Sequence, residues 1–350
     1  MKRPQSEKIS EEKVWQLATR LLGHAPKVIK PLKGQGWNNQ LFQVVGEDGP
    51  VALKCYPKDD RRGRMARELS ALLFLEAHPP LYTPKLLASD PVNRVLMMEW
   101  VEGAPITKEE AGNDAVDAML SFMQHLHGLR GARGADNLVA ASDAVFDVTS
   151  AHHQIQRRLS ALEPAREKNP ELDAFLIDLE EIHHTVIQRA QQQLGAMGPL
   201  PVALHTLSLS DFGFHNALRC SDGRIVFMDL EYFGWDDPVK LASDTLWHPA
   251  MALRGDLRAR YCEKAVGLFA GQGDSQIRQR FSVMHPIFGL IWSLILLNVY
   301  VTDGQAAPQT HADGAALKRQ LQMAKRYAAT LQTGCHLEYH PALDPEEVAA

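Results

Sequence analysis

The sequence predicts an α+β protein of two lobes: a small antiparallel-sheet lobe with one helix over residues 1–101, then a larger, mainly helical lobe over residues 102–350. Three observations predict it. Short strand-like runs separated by turn residues crowd the first hundred positions. Long helical patterns dominate after Glu102, and one strand-rich island, Val202 to Phe233, interrupts them. A chain of 350 residues, 45% hydrophobic and 23% charged, can bury a sizeable core and has the composition of a soluble globular protein.

In the first lobe, LFQVV and VALKCY flank the turn residues GEDG, a hairpin signal. Ahead of them lies KGQGWNN, rich in Gly and Asn. A helix is expected from about Arg61 through MARELSALLFLEA to His78, where Pro79 and Pro80 stop it. A second pair of strands closes on VLMMEW, giving the order strand, strand, helix, strand, strand. Residues 100–103 read as a short hinge. Helices are then expected over Asp114–Leu129, Ala151–Leu162 and Leu172–Leu194, with more after Trp247.

The longest apolar run, Pro286 to Val301, is shorter than the roughly 20 residues of a membrane-spanning helix and contains Ser293 and Asn298, so it reads as a buried core helix with no membrane role. The net charge of -5 offers no basic footprint for nucleic acid. Four scattered cysteines without CxxC spacing, and an amino terminus that alternates charge and polarity, fit a reducing cytoplasm. The oligomeric state leaves no sequence signal.

The chemistry concentrates in LSLSDFGFHNAL, residues 207–218. Its DFG tripeptide has the spelling of the kinase motif whose aspartate holds magnesium. That aspartate should follow a catalytic Asp and Asn by about 15 to 20 residues. Residues 190–206 contain neither. Taken instead as the catalytic-loop residue, Asp211 has Asn216 five positions later, as a kinase catalytic loop requires. Two short strands around the turn SDG then lead to Asp229. The order Asp211, Asn216, Asp229 supplies a proton acceptor for an alcohol and oxygen ligands for Mg2+, the groups that phosphoryl transfer needs.

The first lobe carries matching parts. Lys54 ends VALK, on the strand where kinases place the lysine that contacts the α and β phosphates. Glu68 lies in the following helix at the margin of a stripe formed by Ala71, Leu72 and Leu75; an acid so placed needs a partner, and Lys54 is the obvious one. Gly34 and Gly36 would let backbone approach phosphate, with Asn38 or Asn39 as donors. Backbone groups near Glu99 and Val101 are positioned for an adenine edge.

With these motifs the sequence resembles the aminoglycoside phosphotransferase and choline kinase-like family, small-molecule kinases that share the protein-kinase fold. Where that family has HGDLHPGN, this chain has LSDFGFHN; where it has an IDFE-like strand end, this chain has MDLE. The resemblance implies a bilobal protein-kinase-like fold and Mg2+-dependent transfer from ATP or GTP to a small-molecule hydroxyl. It implies Asp211 as catalytic base, Asn216 and Asp229 as magnesium ligands, and Lys54 with Glu68 at the nucleotide phosphates. Three positions depart: Leu209 replaces the loop histidine, Ser210 the following glycine, and Leu241 an aspartate, with Asp244 one turn later. A nucleotide-binding pseudokinase is the alternative reading.

For the acceptor, His215 lies inside the catalytic loop. Glu231, Asp236, Asp237 and Asp244 interleave with Tyr232, Phe233 and Trp235. Acids beside aromatic faces, Glu231, Trp235 and Asp236 above all, suit a sugar, amino sugar or amino alcohol. Asp236 and Asp237 have a second reading, as caps of a helix that starts at Pro238.

Overall fold

The computed structural model describes residues 9–32, 39–60, 62–301, 314–334 and 340–342. A helix and a strand that the sequence reading did not predict come first. Helix α1 (Glu11–Leu22) starts on Ser10, whose hydroxyl accepts the Lys13 amide, and stops at Gly23, whose φ of 80° is the left-handed conformation that glycine reaches without strain. Strand β1 is Val28–Pro31. Next come the hairpin β2 (Gln40–Val45) and β3 (Pro50–Cys55), helix α2 (Arg64–Glu76), and strands β4 (Leu86–Asp90) and β5 (Val95–Glu99). The five strands form one antiparallel sheet in the order β1-β2-β3-β5-β4.

Strand parity decides what each face does. Leu53 and Cys55 of β3 and Val95 and Met97 of β5 pack with Phe42 and Val44 against Val14, Leu17 and Ala18 of α1. Ala52, Leu96 and Met98 face the other way, into the core that α2 enters with Ala71, Leu72 and Leu75. Lys54 pairs with Leu96 across the sheet and shares this α2 side. The alternation of β3 therefore points the lysine at the helix that carries Glu68.

After β5 the chain passes through residues 100–103 to β6 (Ala104–Pro105) and then to α3 (Asn113–Gly128), α4 (Val148–Arg166) and α5 (Pro170–Leu194). Four three-residue strands follow: β7 (Thr206–Ser208), β8 (Ala217–Arg219), β9 (Ile225–Phe227) and β10 (Gly234–Asp236). β8 sits between β6 and β9, while β7 pairs with β10. Helices α6 (Pro238–Trp247), α7 (Gly255–Gly271), α8 (Ile277–Leu296) and α9 (Gly314–Thr333) complete the described chain.

Helix α8 is the central post, packed against α4, α5, α6, α7 and α9. It begins nine residues before Pro286, which the sequence reading takes as the start of the apolar run. The segment Ile277–Tyr300 is long and apolar enough to cross a membrane, but most of it is buried within the protein. The carbonyl of His285 accepts the Trp247 indole at 2.9 Å, locking the end of α6 to this post. That anchor fixes the residues that follow Trp247, which belong to the site.

Candidate functional site

Lys54 is buried, and its Nζ donates to Glu68 Oε2 at 2.6 Å and to Asp229 Oδ1 at 2.7 Å, with Glu231 Oε2 at 3.9 Å. Burial alone would lower the lysine; Asp229, Glu68 and Glu231 outweigh it and hold the ammonium well above its usual range. Glu68 is pushed up by burial, against the pull of Lys54, and also accepts the Tyr56 hydroxyl at 2.5 Å. The Leu230 amide reaches its other oxygen at 3.4 Å. One buried ion pair thus ties the sheet lobe to the segment that contains Asp229.

Asp229 follows β9 with a φ of 62°, left-handed backbone that costs a non-glycine residue about 1–3 kcal/mol. Its side chain is 34% exposed, whereas Glu68 and Glu231 beside it are almost sealed. Of the three carboxylates, Asp229 is therefore the one open to a ligand. Glu231 is turned inward: it accepts from the Asn39 amide, lies 3.6 Å from Arg64 Nε, and is pushed up by burial and by Asp229.

The catalytic-loop segment is built by β7, by the turn Phe214–Asn216, and by β8. Asn216 carries its amide nitrogen to the Asp211 carbonyl at 3.1 Å and to Asp211 Oδ2 at 3.3 Å. Its own carbonyl accepts the Met228 amide at 2.7 Å, which sets Asn216 beside the residue preceding Asp229. Asp211, Asn216 and Asp229 are brought together in this way, with Lys54 on Asp229.

The departures from the resembled motif acquire physical accounts. Ser210 has a φ of 67°, a conformation glycine adopts freely; here the serine hydroxyl holds it by donating to the Ser142 carbonyl at 3.0 Å. Leu209 is buried in the main core, so apolar packing supports the loop at that position. Gly213 makes room for its neighbours: a Cβ there would lie 2.7 Å from both His215 Nδ1 and Met251 Sδ. The loop can then fold His215 back until its Nε2 is 2.9 Å from Asp211 Oδ1.

A second histidine, His248, to which the sequence reading assigns no role, reaches the same oxygen. His248 Nε2 lies 3.3 Å from Asp211 Oδ1, and its ring stacks on His215 at 4.0 Å and 3°. The Ala250 amide donates to His248 Nδ1 at 3.1 Å, so the neutral ring carries its proton on Nε2 and offers it to Asp211. Trp292 meets the His248 ring edge-on and donates to Asp244 Oδ1 at 3.0 Å. Burial would raise Asp211, but hydrogen bonds from His215 and His248 outweigh it and hold the carboxylate well below its usual range. The available signal was Pro249: a residue before proline is extended, and His248 leaves α6 with ψ at 124°.

The remaining predicted residues divide. Asp236 is fully buried, 3.1 Å from Lys240 Nζ, accepts the Val145 amide, and is pushed up by burial to about 7; Asp237 caps α6 through the Val239 amide and pairs with Arg280. The capping reading therefore describes Asp237, and both acids are buried and paired with cations of the protein. Glu231 is committed inward as well, and the Trp235 indole is spent on the Ala135 carbonyl at 3.1 Å. Of the four acceptor candidates, His215 alone stands beside Asp211. The Glu99 amide donates to the Lys85 carbonyl at 2.9 Å, leaving at most its carbonyl for an adenine edge; Val101 is half-buried between β5 and β6. Gly34, Gly36 and Asn38 lie outside the described residues.

Among the described residues, two groups could hold a cation by the closeness of their ligand atoms: Glu68, Asp229 and Glu231, and Asp211, His215 and His248. The second is disfavoured, because His248 keeps a proton on the nitrogen that would have to ligate. At the first, Asp229 is the exposed carboxylate, a hard oxygen donor of the kind Mg2+ takes.

The arrangement has relatives. A family model described as the phosphotransferase enzyme family matches residues 28–271. A search of curated protein sequences finds no match. Among solved structures, the streptomycin–ATP ternary complex of APH(2'')-IIa is similar at 14% identity and a TM-score of 0.59, covering 92% of this chain and 98% of that one. Choline kinase LicA from Streptococcus pneumoniae is similar at 16% identity and a TM-score of 0.57, covering 91% and 99%. Plasmodium vivax ethanolamine kinase gives 12% identity and a TM-score of 0.55, covering 99% and 92%. At these identities the structures share the fold, and the family match carries the assignment. With the match spanning most of the chain, the protein belongs to the phosphotransferase enzyme family, whose kinase-like fold it has.

Proposed function

We propose that this protein transfers the γ-phosphate of ATP or GTP to the hydroxyl of a small molecule in a Mg2+-dependent reaction. The observation that carries the reading is the double hold of Lys54 on Glu68 and Asp229, with Asn216 bonded both to Asp211 and to the residue preceding Asp229. Nothing in a merely structural ion pair needs a partly exposed carboxylate in left-handed backbone. Asp229 and Asn216 would hold the cation, which when bound neutralises phosphate charge. Lys54 would turn from Asp229 toward the nucleotide phosphates while Glu68 keeps it in place.

Asp211 is the proton acceptor in this reading. Its Oδ1 is occupied by two imidazole contacts and its Oδ2 by a single long one, so Oδ2 is the oxygen that can meet an alcohol proton. A carboxylate held below its usual range stays ionised at neutral pH and orients the hydroxyl more than it removes the proton early. The neighbours named for streptomycin, choline and ethanolamine support a small alcohol as acceptor class.

The test is transfer of labelled γ-phosphate to a panel of alcohols, with and without a chelator. The reading expects Mg2+-dependent labelling of at least one acceptor. Tight nucleotide binding with no transfer to any acceptor, or to water, would instead make the chain a nucleotide-binding pseudokinase.

A further inference from the structure

The charges on the acceptor side of Asp211 are distributed in a way the neighbours' amine-bearing acceptors do not explain. The loop between α3 and α4 is clamped onto the catalytic segment. Val139 and Ala141 exchange backbone hydrogen bonds with Trp235, the Ser142 amide donates to the Tyr232 carbonyl at 3.0 Å, and the Ser142 carbonyl accepts Ser210. A Cβ at Gly234 would stand 2.3 Å from the Val139 carbonyl oxygen, so only glycine allows this approach. Asp143, the next residue, is thereby held beside the loop that carries Asp211, through the bond between their preceding residues Ser142 and Ser210.

Three arginines converge on Asp143 from different elements. Arg158 and Arg157 of α4 approach it at 3.3 and 3.7 Å, and Arg62, just before α2, at 3.9 Å. Among the described residues Asp143 is the one carboxylate within ion-pair distance of all three. Three guanidinium groups against one carboxylate leave two positive charges in excess. Arg158 is largely buried, its Nε has no hydrogen-bond partner, and burial with Arg62 and Arg157 nearby lowers it against the pull of Asp143 and Asp244. Asp244 is itself paired with Lys240 at 2.7 Å and bonded to Trp292. The acids that the sequence offered to a cationic acceptor, Glu231, Asp236, Asp237 and Asp244, are each paired with a cation of the protein.

We propose that the acceptor is an alcohol that also carries a phosphate or carboxylate group, and that Arg62, Arg157 and Arg158 hold this anionic group while the hydroxyl meets Asp211. The inference rests on the phosphotransferase reading above. Planar guanidinium groups bind both oxyanions through paired N–H donors. In the transfer itself the acceptor oxygen bonds to the γ-phosphorus as the bond to the β–γ bridging oxygen breaks. ADP leaves with that electron pair, and the hydroxyl proton passes to the Asp211 carboxylate.

The experiment titrates inorganic phosphate, and separately acetate, into protein saturated with Mg2+ and a non-hydrolysable ATP analogue, so that the nucleotide phosphate positions are already filled. Thermal shift is the readout. Expected is a rise in melting temperature with one of the two anions, which also says which oxyanion is preferred. The Arg62→Gln/Arg157→Gln double variant changes two exposed side chains that folding does not need, and should weaken the anion by about tenfold or more. Asp143→Asn, which removes the competing carboxylate at a position whose left-handed backbone asparagine tolerates, should tighten it. In the transfer assay, hydroxyalkyl phosphates and hydroxycarboxylates should be labelled, with the double variant raising their KM and leaving that of ATP unchanged. Equal anion shifts in wild type and the double variant, or labelling confined to choline and amino sugars, would overturn the proposal while leaving the phosphotransferase reading intact. No stabilisation by the nucleotide analogue itself would overturn both.

Discussion

The two ends of the site are opposite in charge and in construction. At the proposed nucleotide end, Glu68, Asp229 and Glu231 face Lys54 and Arg64, three acids to two bases within a largely buried cluster. At the acceptor end, Asp143 faces Arg62, Arg157 and Arg158, while two imidazoles cover one oxygen of Asp211. The first end lacks a cation and the second lacks an anion. If the proposed function holds, the difference teaches that the metal and nucleotide side rests on one short hairpin joined to the sheet lobe through Lys54. The acceptor end is assembled from loops and helices that can change without disturbing it.

The comparison breaks most visibly at Asp229. Asp229→Ala removes the exposed member of the acidic cluster, so Mg2+-dependent ATP affinity should disappear and turnover should fall roughly a thousandfold or more. Calorimetry of ATP binding with and without Mg2+ checks this; an unchanged Mg2+ dependence would remove Asp229 from the metal role. Lys54→Met strips the shared partner from buried carboxylates and should destabilise the fold by about 3–5 kcal/mol in chemical unfolding. Adding Glu68→Gln should restore part of that loss, which separates the ion pair's folding role from its nucleotide role. If Lys54→Met unfolds at the wild-type denaturant concentration, the buried cluster is not held by the lysine.

At the other end, His248→Asn keeps an acceptor for the Ala250 amide and loses the donor to Asp211. The sign follows from the shift: Asp211 is held low by its histidine donors, so the wild type keeps it ionised until the pH falls well below the usual carboxylate range. With one donor gone the carboxyl rises back toward its usual range. The acid limb of kcat/KM should then move to higher pH, with turnover at neutral pH reduced about tenfold, and an unmoved pH profile would make His248 a packing residue only. The smallest effect is expected outside both ends. Asp222→Ala alters an exposed turn where Asp222 pairs only with Arg224, and should leave melting, nucleotide affinity and transfer unchanged.

The same contrast explains what was legible in the sequence. The separation of Asp211, Asn216 and Asp229 survives as motif spacing because one short hairpin links them, and Lys54 with Glu68 follows from strand parity and helix position. The acceptor end left no such spacing. His248 comes from the residue after α6, Arg62 from the turn before α2, and Arg157 and Arg158 from α4, so their meeting depends on how α4 and α6 pack around α8. The acids of residues 229–244 misled for a related reason. Their density is visible in the sequence, and so is Lys240, four residues from both Asp236 and Asp244, but the partners Arg280 and Arg64 are set by tertiary packing. Helix α1 and strand β1 were missed because the first segment was read for its charge pattern and not for the period of Val14, Leu17 and Ala18.

The central claim is a division of labour, with nucleotide held at the Lys54–Asp229 end and chemistry assigned to Asp211. It is tested most directly by measuring the Mg-ATP thermal shift and the rate of phosphate transfer on the same Asp211→Asn sample. The account predicts a shift equal to that of the wild type and a transfer rate lower by roughly 100- to 10,000-fold, because asparagine keeps the shape and the histidine contacts but not the basicity. Wild-type transfer by Asp211→Asn would contradict it.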